Sequence, residues 1–179
     1  MNEQIFSLQP FPSNESPPNL KISGNIARNG NQLAIRYMLE GDLKEIVIFP
    51  PSNAPSRKHE LWKNTCFELF IGINNSKQYW ELNLSPAGHW NVYRLDGYRQ
   101  GMQEETAFQN LPFNVDNQGN SLVVALNIDL DKIILAKQAI EIGITTVIRD
   151  RDGKVTYWAL THRGAEADFH LRDSFIIEL

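Results

Sequence analysis

The residues best equipped for chemistry fall in one stretch, LWKNTCFELFIGINNSKQYWELNLSPAGHWNVYRLDGYR, from Leu61 to Arg99. Its alternation puts Glu68 on a strand face opposite Phe67, Leu69 and Ile71, and sets Tyr79, Glu81 and Asn83 against Trp80, Leu82 and Leu84. If the strands pair in register, Glu68, Tyr79, Glu81 and Asn83 share one face with Asn91 and Tyr93, or with Trp90 and Val92 in the other register. A sheet face of Glu, Asn, Tyr and Trp is costly to bury unless its groups are paired, so it reads as the floor of a site. Carboxylates and amides take paired ring hydroxyls, and aromatic faces pack on the C–H faces of a pyranose. The alternative on these residues is a polar network with aromatic core filling, in which Trp80 belongs to the core.

Other chemistries find less support. There is no GxSxG, phosphate loop, dinucleotide-binding glycine run, HExxH or CxxC. The histidines are dispersed; only His162 and His170 share a segment, THRGAEADFH, which reads as a polar loop of mutually bonded groups rather than a metal site. Cys66, the lone cysteine, lies within a strand and reads as a small buried apolar residue. An enzyme reading would use Glu68 and Glu81 as acid and base in glycoside chemistry; no other catalytic grouping accompanies them.

The elements that must position these groups are almost all strands. The first 18 residues carry four prolines and read as an extended arm, 1–19, with an apolar patch from Ile5 to Leu8. Two period-two runs flank Asn29-Gly30-Asn31, a hairpin signal. Residues 50–60 form a proline-punctuated loop long enough to be functional. Leu111 to Val115 reads as an edge strand, and Ser121 to Ile128, Ala139 to Ile148, Lys154 to Leu160 and Ser174 to Leu179 as further strands. Asp129 to Lys137 shows helical spacing behind an aspartate and is predicted as the one short helix. Roughly nine to eleven strands with at most one helix predict an all-β antiparallel sandwich, with one domain over 20–179.

Composition agrees with such a domain: 179 residues, 42% hydrophobic and 21% charged. A chain of this length buries about 70% of its unfolded surface and needs no metal or disulfide. A net charge of −4 with no basic stripe excludes nucleic acid as the expected partner. No segment has the 18 or more apolar residues of a membrane helix and no signal peptide is evident, so a reduced, soluble, cytoplasmic protein is expected, of undetermined oligomeric state.

The motif stretch also resembles a family. Leu61-Trp62, Thr65-Cys-Phe-Glu68, Tyr79, Glu81, Asn83, Ser85-Pro86, Gly88, Trp90-Asn91, Tyr93 and Asp96-Gly-Tyr-Arg-Gln-Gly-Met102, followed by Trp158 to His162 and Asp168 to His170, are similar to the DOMON-like proteins grouped with type 9 carbohydrate-binding modules. The resemblance runs from about residue 20 to the C-terminus. It implies an immunoglobulin-like or jelly-roll sandwich that binds a small carbohydrate or glycoconjugate without catalysis. It also implies that Trp62 and Trp158 are the two rings that clamp the sugar and that Glu68 is the carboxylate beside them. Asn83 and Arg94 are then hydroxyl partners, and the expected cleft comprises Trp62, Glu68, Tyr79, Glu81, Asn83, Trp90, Arg94 and Trp158. No cofactor is expected; haem, the second ligand of the wider superfamily, would need Met38 or Met102 paired with a histidine.

Overall fold

A computed structural model describes residues 2–179. Its strands are β1 (Asn2–Pro10), β2 (Leu20–Asn29), β3 (Gln32–Gly41), β4 (Cys66–Ile73), β5 (Tyr79–Leu84), β6 (Trp90–Leu95), β7 (Gln103–Glu104), β8 (Phe113–Asn117), β9 (Ser121–Asp129), β10 (Ile140–Arg149), β11 (Val155–Ala159) and β12 (Ile177–Glu178). They form a curled antiparallel sheet in the order β7-β6-β5-β4-β10-β11-β1-β2-β3-β9-β8, with β12 also paired to β10. The described helical elements are three 3-10 turns, Leu43–Glu45, Leu61–Lys63 and Arg172–Ser174, and no described helix is long and apolar enough to cross a membrane.

The curl lets both halves of the sheet share one core. Ile22, Ile26, Ile35, Tyr37 and Leu39 from β2 and β3 join Phe67, Leu69, Ile71, Trp80, Leu82, Ile142 and Ile144 from β4, β5 and β10. Tyr37 spans the middle, its ring 5.1 Å from that of Phe67 and its hydroxyl donating to the Glu68 carbonyl at 2.8 Å. The hairpin of β2 and β3 closes where Asn29 pairs Gln32, with Gly30 at φ +60°, a conformation glycine takes at no steric cost.

Two expectations change here. The 1–19 segment is extended, yet residues 2–10 are β1 inside the sheet, paired along β2 and, at Gln9 and Pro10, with β11. Phe6 and Leu8 are buried in the core while Ile5, out of phase with them, is exposed, so the apolar patch has strand periodicity. Pro10 ends the strand and Pro12, Pro17 and Pro18 lie beyond it, so none interrupts the ladder. The helix predicted over Asp129 to Lys137 is a run of turns. Its spacing is real, because Leu130 and Ile134 are both buried and the Ile134 N–H donates to the Leu130 carbonyl at 2.8 Å. A single such turn does not propagate: Asp129 is the last residue of β9, held opposite Gln32, and nucleation without elongation is unfavourable.

β4, β5, β6 and β10 are buried on both faces. The inner face meets the main core. The outer face carries Phe70, Tyr79, Tyr93 and Leu95, packed with Phe175, Trp62 and Phe169 from the segments that fold over it. Gly143 permits this cover, because a Cβ there would sit 2.8 Å from the Phe175 ring.

Candidate functional site

The polar side chains of that outer face are brought together by register. Glu68 stands opposite Asn83 and Glu81 opposite Phe70, so the two carboxylates are diagonal neighbours on adjoining strands. Thr145 lies across from Glu68 on the other side and donates to its Oε2 at 3.0 Å. Asn83 Nδ2 donates to Glu81 Oε1 at 3.0 Å, whereas Glu81 Oε2 is buried and reached by no hydrogen-bond donor among the described residues. Glu68 is 2% and Glu81 3% exposed.

A cavity of about 360 Å³ lies over this pair. It is lined by Trp62, Glu68, Glu81, Arg99, Met102, Val147, Tyr157, Ala167, Phe169 and His170. Trp62, on the 3-10 turn before β4, packs its ring edge-on to Tyr93 at 5.8 Å. Tyr157 of β11 packs edge-on to Phe169 at 5.8 Å, and Tyr157 and Met102 are both exposed at the rim. The far wall is held by hydrogen bonds: Asp168 accepts from Tyr98 Oη, from Arg99 Nη2 at 2.9 Å and from the His170 N–H at 3.0 Å. Tyr79 Oη lies 2.8 Å from His170 Nδ1 and accepts the Arg99 N–H at 3.3 Å. Arg99 itself holds φ +52°, a conformation a non-glycine residue keeps only where neighbours fix it.

Burial dominates the electrostatics, with repulsion from Glu81 added at Glu68. Desolvation, then the Glu81 charge, push Glu68 well above the usual carboxylate range despite its bond from Thr145. Burial raises Glu81 to about 7, although Asn83 and Arg99 pull the other way. His170 is lowered to about 4 by burial and by Arg99, so it is neutral at neutral pH. Burial works against ionisation of Asp168, but its bonds from Tyr98, Arg99 and the His170 N–H hold it below its ordinary value. The carboxylate pair therefore keeps protons that an exposed pair would release.

These shifts make stability depend on pH. The folded state binds more protons at Glu81 than the unfolded state between pH 4.5 and about 7, so the stability of the folded state falls as pH rises through that window, by about 3 kcal/mol at most. His170 acts in the opposite sense, losing stability as pH drops from 6.5 towards about 4. The comparison of Glu81→Gln with the wild type isolates the first effect. Urea denaturation is expected to find the variant about 2–3 kcal/mol more stable at pH 8 and no more stable at pH 4.5. Parallel curves at the two pH values would contradict it.

Of the residues expected at the site, Trp62, Glu68 and Glu81 line the cavity. Tyr79 and Asn83 share the face and act behind it, on His170 and Glu81. Three stand elsewhere. Trp158 is 3% exposed in the main core, its Nε1 donating to Thr156 Oγ1 at 3.0 Å, because Tyr157, its neighbour on the strand, takes the outer face. Trp90 pairs Leu84 and is 3% exposed in the same core, under the Arg57 guanidinium at 4.3 Å; the register chosen is the one that puts Asn91 and Tyr93 outside. Arg94 pairs Trp80 on the inner side, 4.0 Å from Asp96. The aromatic wall that accompanies Trp62 is therefore built by Tyr157 and Phe169 in place of a second tryptophan. Arg99, Met102 and His170 lie in the DGYRQGM and DFH motifs, so motif membership was the available signal for them. Val147 and Tyr157 carried none beyond strand phase, and Ala167, in the loop after β11, carried none.

The THRGAEADFH segment forms one wall of the site. His162 Nε2 lies 2.8 Å from the Gln9 carbonyl while Asp168 organises the loop. No group of three or more His, Cys, Asp or Glu side chains able to hold a metal occurs among the described residues. Cys66 is buried, its thiol pushed well above its ordinary value by burial and by Glu68 and Glu81. Haem does not fit the donor set. Met38 lies on β3 in the other half of the sheet, and His170, which lines the cavity with Met102, has Nδ1 held by Tyr79 and Nε2 turned to Glu81 at 3.8 Å.

Comparison with solved structures gives this geometry a context. A candidate carbohydrate-binding protein from Bacteroides uniformis superposes with a TM-score of 0.70 at 12% identity, over 96% of this chain and 84% of that one. A family 9 carbohydrate-binding module from Caldicellulosiruptor kristjanssonii superposes at 0.51 in its glucose complex and 0.50 in its cellotriose complex. Each has 10% identity and covers 84% of this chain, against 71% and 70% of the module. The fold is similar to that of family 9 carbohydrate-binding modules. At these identities the likeness concerns the fold, and no family model and no curated protein matches the sequence.

Proposed function

We propose that the chain is a β-sandwich carbohydrate-binding domain of the DOMON-like and type 9 kind, which holds a small sugar or glycoconjugate in the Trp62 cavity without transforming it. The observation that carries this reading is the buried pair Glu68 and Glu81, with Glu81 Oε2 reached by no donor among the described residues, beneath walls of Trp62, Tyr157 and Phe169. A buried oxygen without a partner is costly, and a hydroxyl delivered by a ligand removes that cost. The rings supply flat apolar faces for a pyranose, and the protonated carboxyl donates while its neighbour accepts. The volume is near the small end of ligand pockets, which run from about 300 to 1,000 Å³, and this suits a short sugar rather than a polymer lying on an open sheet. The bound sugars of the C. kristjanssonii module support the class of ligand.

Calorimetric titration with glucose, cellotriose and a glycan array is expected to find at least one sugar bound with micromolar to millimolar affinity and no turnover. Absence of binding to every glycan would remove the proposal. Because Glu68 and Glu81 share the cavity, release of the aryl group from an aryl-glycoside panel, lost in Glu68→Gln, would instead establish a glycoside-cleaving enzyme.

A further inference from the structure

Among neutral and charged sugars, the walls of the cavity favour one class. We infer that the preferred ligand is a protonated amino sugar, whose ammonium group occupies the space between Glu81 Oε2 and Glu68. This rests on the proposed carbohydrate site and narrows it. Glu68 and Glu81 line the cavity and, among the described residues, neither is in contact with a guanidinium or ammonium: Arg99, whose charge favours the ionised Glu81 from a distance, is bound to Asp168 at 2.9 Å, and His170 stands 3.8 Å from Glu81 Oε2 without bonding it. An ammonium donates three hydrogen bonds and carries the charge that two buried carboxylates lack. Trp62, Tyr157 and Phe169 add ring faces on which a cation is stabilised.

Binding must then displace protons. Glu81 is faced by Glu68 and Cys66 from β4, by Tyr79 on its own strand, by Tyr93 from β6, by Arg99 from the β6–β7 loop and by His170 from the C-terminal segment, with Asp168 bonded behind Arg99 and the His170 N–H. The carboxyl, thiol and phenol groups of this set, Asp168 excepted, are all shifted towards their protonated forms. Arrival of the ammonium reverses the balance at Glu81, which ionises as the cation docks and releases its proton to the buffer, while Glu68 stays protonated beside it. A neutral sugar produces no such release.

The test is calorimetry on the full chain at pH 6.5, in two buffers of different ionisation enthalpy, with glucosamine, glucose, N-acetylglucosamine and ethanolamine. The inference expects glucosamine to bind at least tenfold more tightly than glucose or N-acetylglucosamine. It also expects release of at least roughly half a proton per glucosamine, as a group titrating near 7 requires. Glu81→Gln, whose folding is checked by its thermal transition, should bring glucosamine and glucose to within about threefold of one another, and Glu68→Gln provides the second variant. Equal binding of glucosamine and glucose, or no proton release, would overturn the inference and leave the carbohydrate reading intact. Binding of ethanolamine with no sugar bound would overturn the carbohydrate reading. Failure of all four ligands would overturn the inference, and the carbohydrate reading falls with it only where cellotriose and every glycan of the array also fail to bind.

Discussion

Arg57→Ala is expected to lower the stability of the domain by about 3–5 kcal/mol. Arg57 lies in the proline-punctuated loop of residues 50–60 and ties it to β6 and to residues 105 and 108. Its guanidinium donates to Asn91 Oδ1 at 2.7 Å, to the Val92 carbonyl at 3.4 Å, to the Glu105 carbonyl at 3.0 Å and to the Phe108 carbonyl, while lying 4.3 Å from the Trp90 ring centroid. Hydrogen bonds from a charged donor contribute about 1.5–3 kcal/mol each, and removal of the guanidinium takes its bonds from the Glu105 and Phe108 carbonyls, while Asn91 Oδ1 and the Val92 carbonyl keep the N–H groups of Val92 and Glu105. The effect reaches the site through β6: Asn91 also donates to the Lys58 carbonyl, Tyr93 Oη and Glu104 Oε1, and Tyr93 supports the Trp62 ring. Arg57→Lys should recover under half of the loss, since a compact ammonium cannot span four acceptors in a plane. Urea denaturation at neutral pH measures both variants. A loss below about 1 kcal/mol for Arg57→Ala would show the loop to be connective only.

The same contacts show what the sequence could and could not reveal. Strand phase alone gathers Glu68, Tyr79, Glu81 and Asn83 on one face, because a period of two admits only two arrangements and the alternating Leu82 and Leu84 belong to a core. Phase could not choose whether Tyr157 or Trp158 faces the site in Val155-Thr-Tyr-Trp-Ala, where an aromatic side chain stands on each side of the strand. Nor could it choose whether Trp90 or Asn91 faces the site, which depends on the pairing of Asn83 with Asn91 across a turn. Arg99, Phe169 and His170 arrive from loops that fold over the sheet, and their placement rests on contacts between residues 69 and 91 positions apart in the chain, those of Arg99 with Asp168 and of Tyr79 with His170. Periodicity carries no information about such contacts. The outer face of β4 and β5 is thus both a second small core and the floor of a cavity, and its residues combine apolar rings with buried carboxyls.

Trp62→Ala is expected to weaken sugar binding by roughly 30- to 150-fold, since stacking an indole on a sugar ring combines area burial with ring-face attraction worth about 2–3 kcal/mol. The variant also separates the two meanings of the tryptophans in this chain. Trp80, Trp90 and Trp158 are each 3% exposed in the main core, so a ligand in the cavity touches none of them; Trp62, half-buried on its 3-10 turn, is the indole that lines it. A ligand-dependent change in tryptophan emission should accordingly be present in the wild type, absent in Trp62→Ala and unchanged in Trp158→Phe, even where Trp158→Phe lowers stability. Trp62→Phe keeps a flat ring and should retain part of the affinity while losing the emission signal. If Trp62→Ala bound as tightly as the wild type, or if Trp158→Phe removed the signal, the sugar would have to lie elsewhere, and the paired carboxyls of Glu68 and Glu81 would need another ligand to account for their burial.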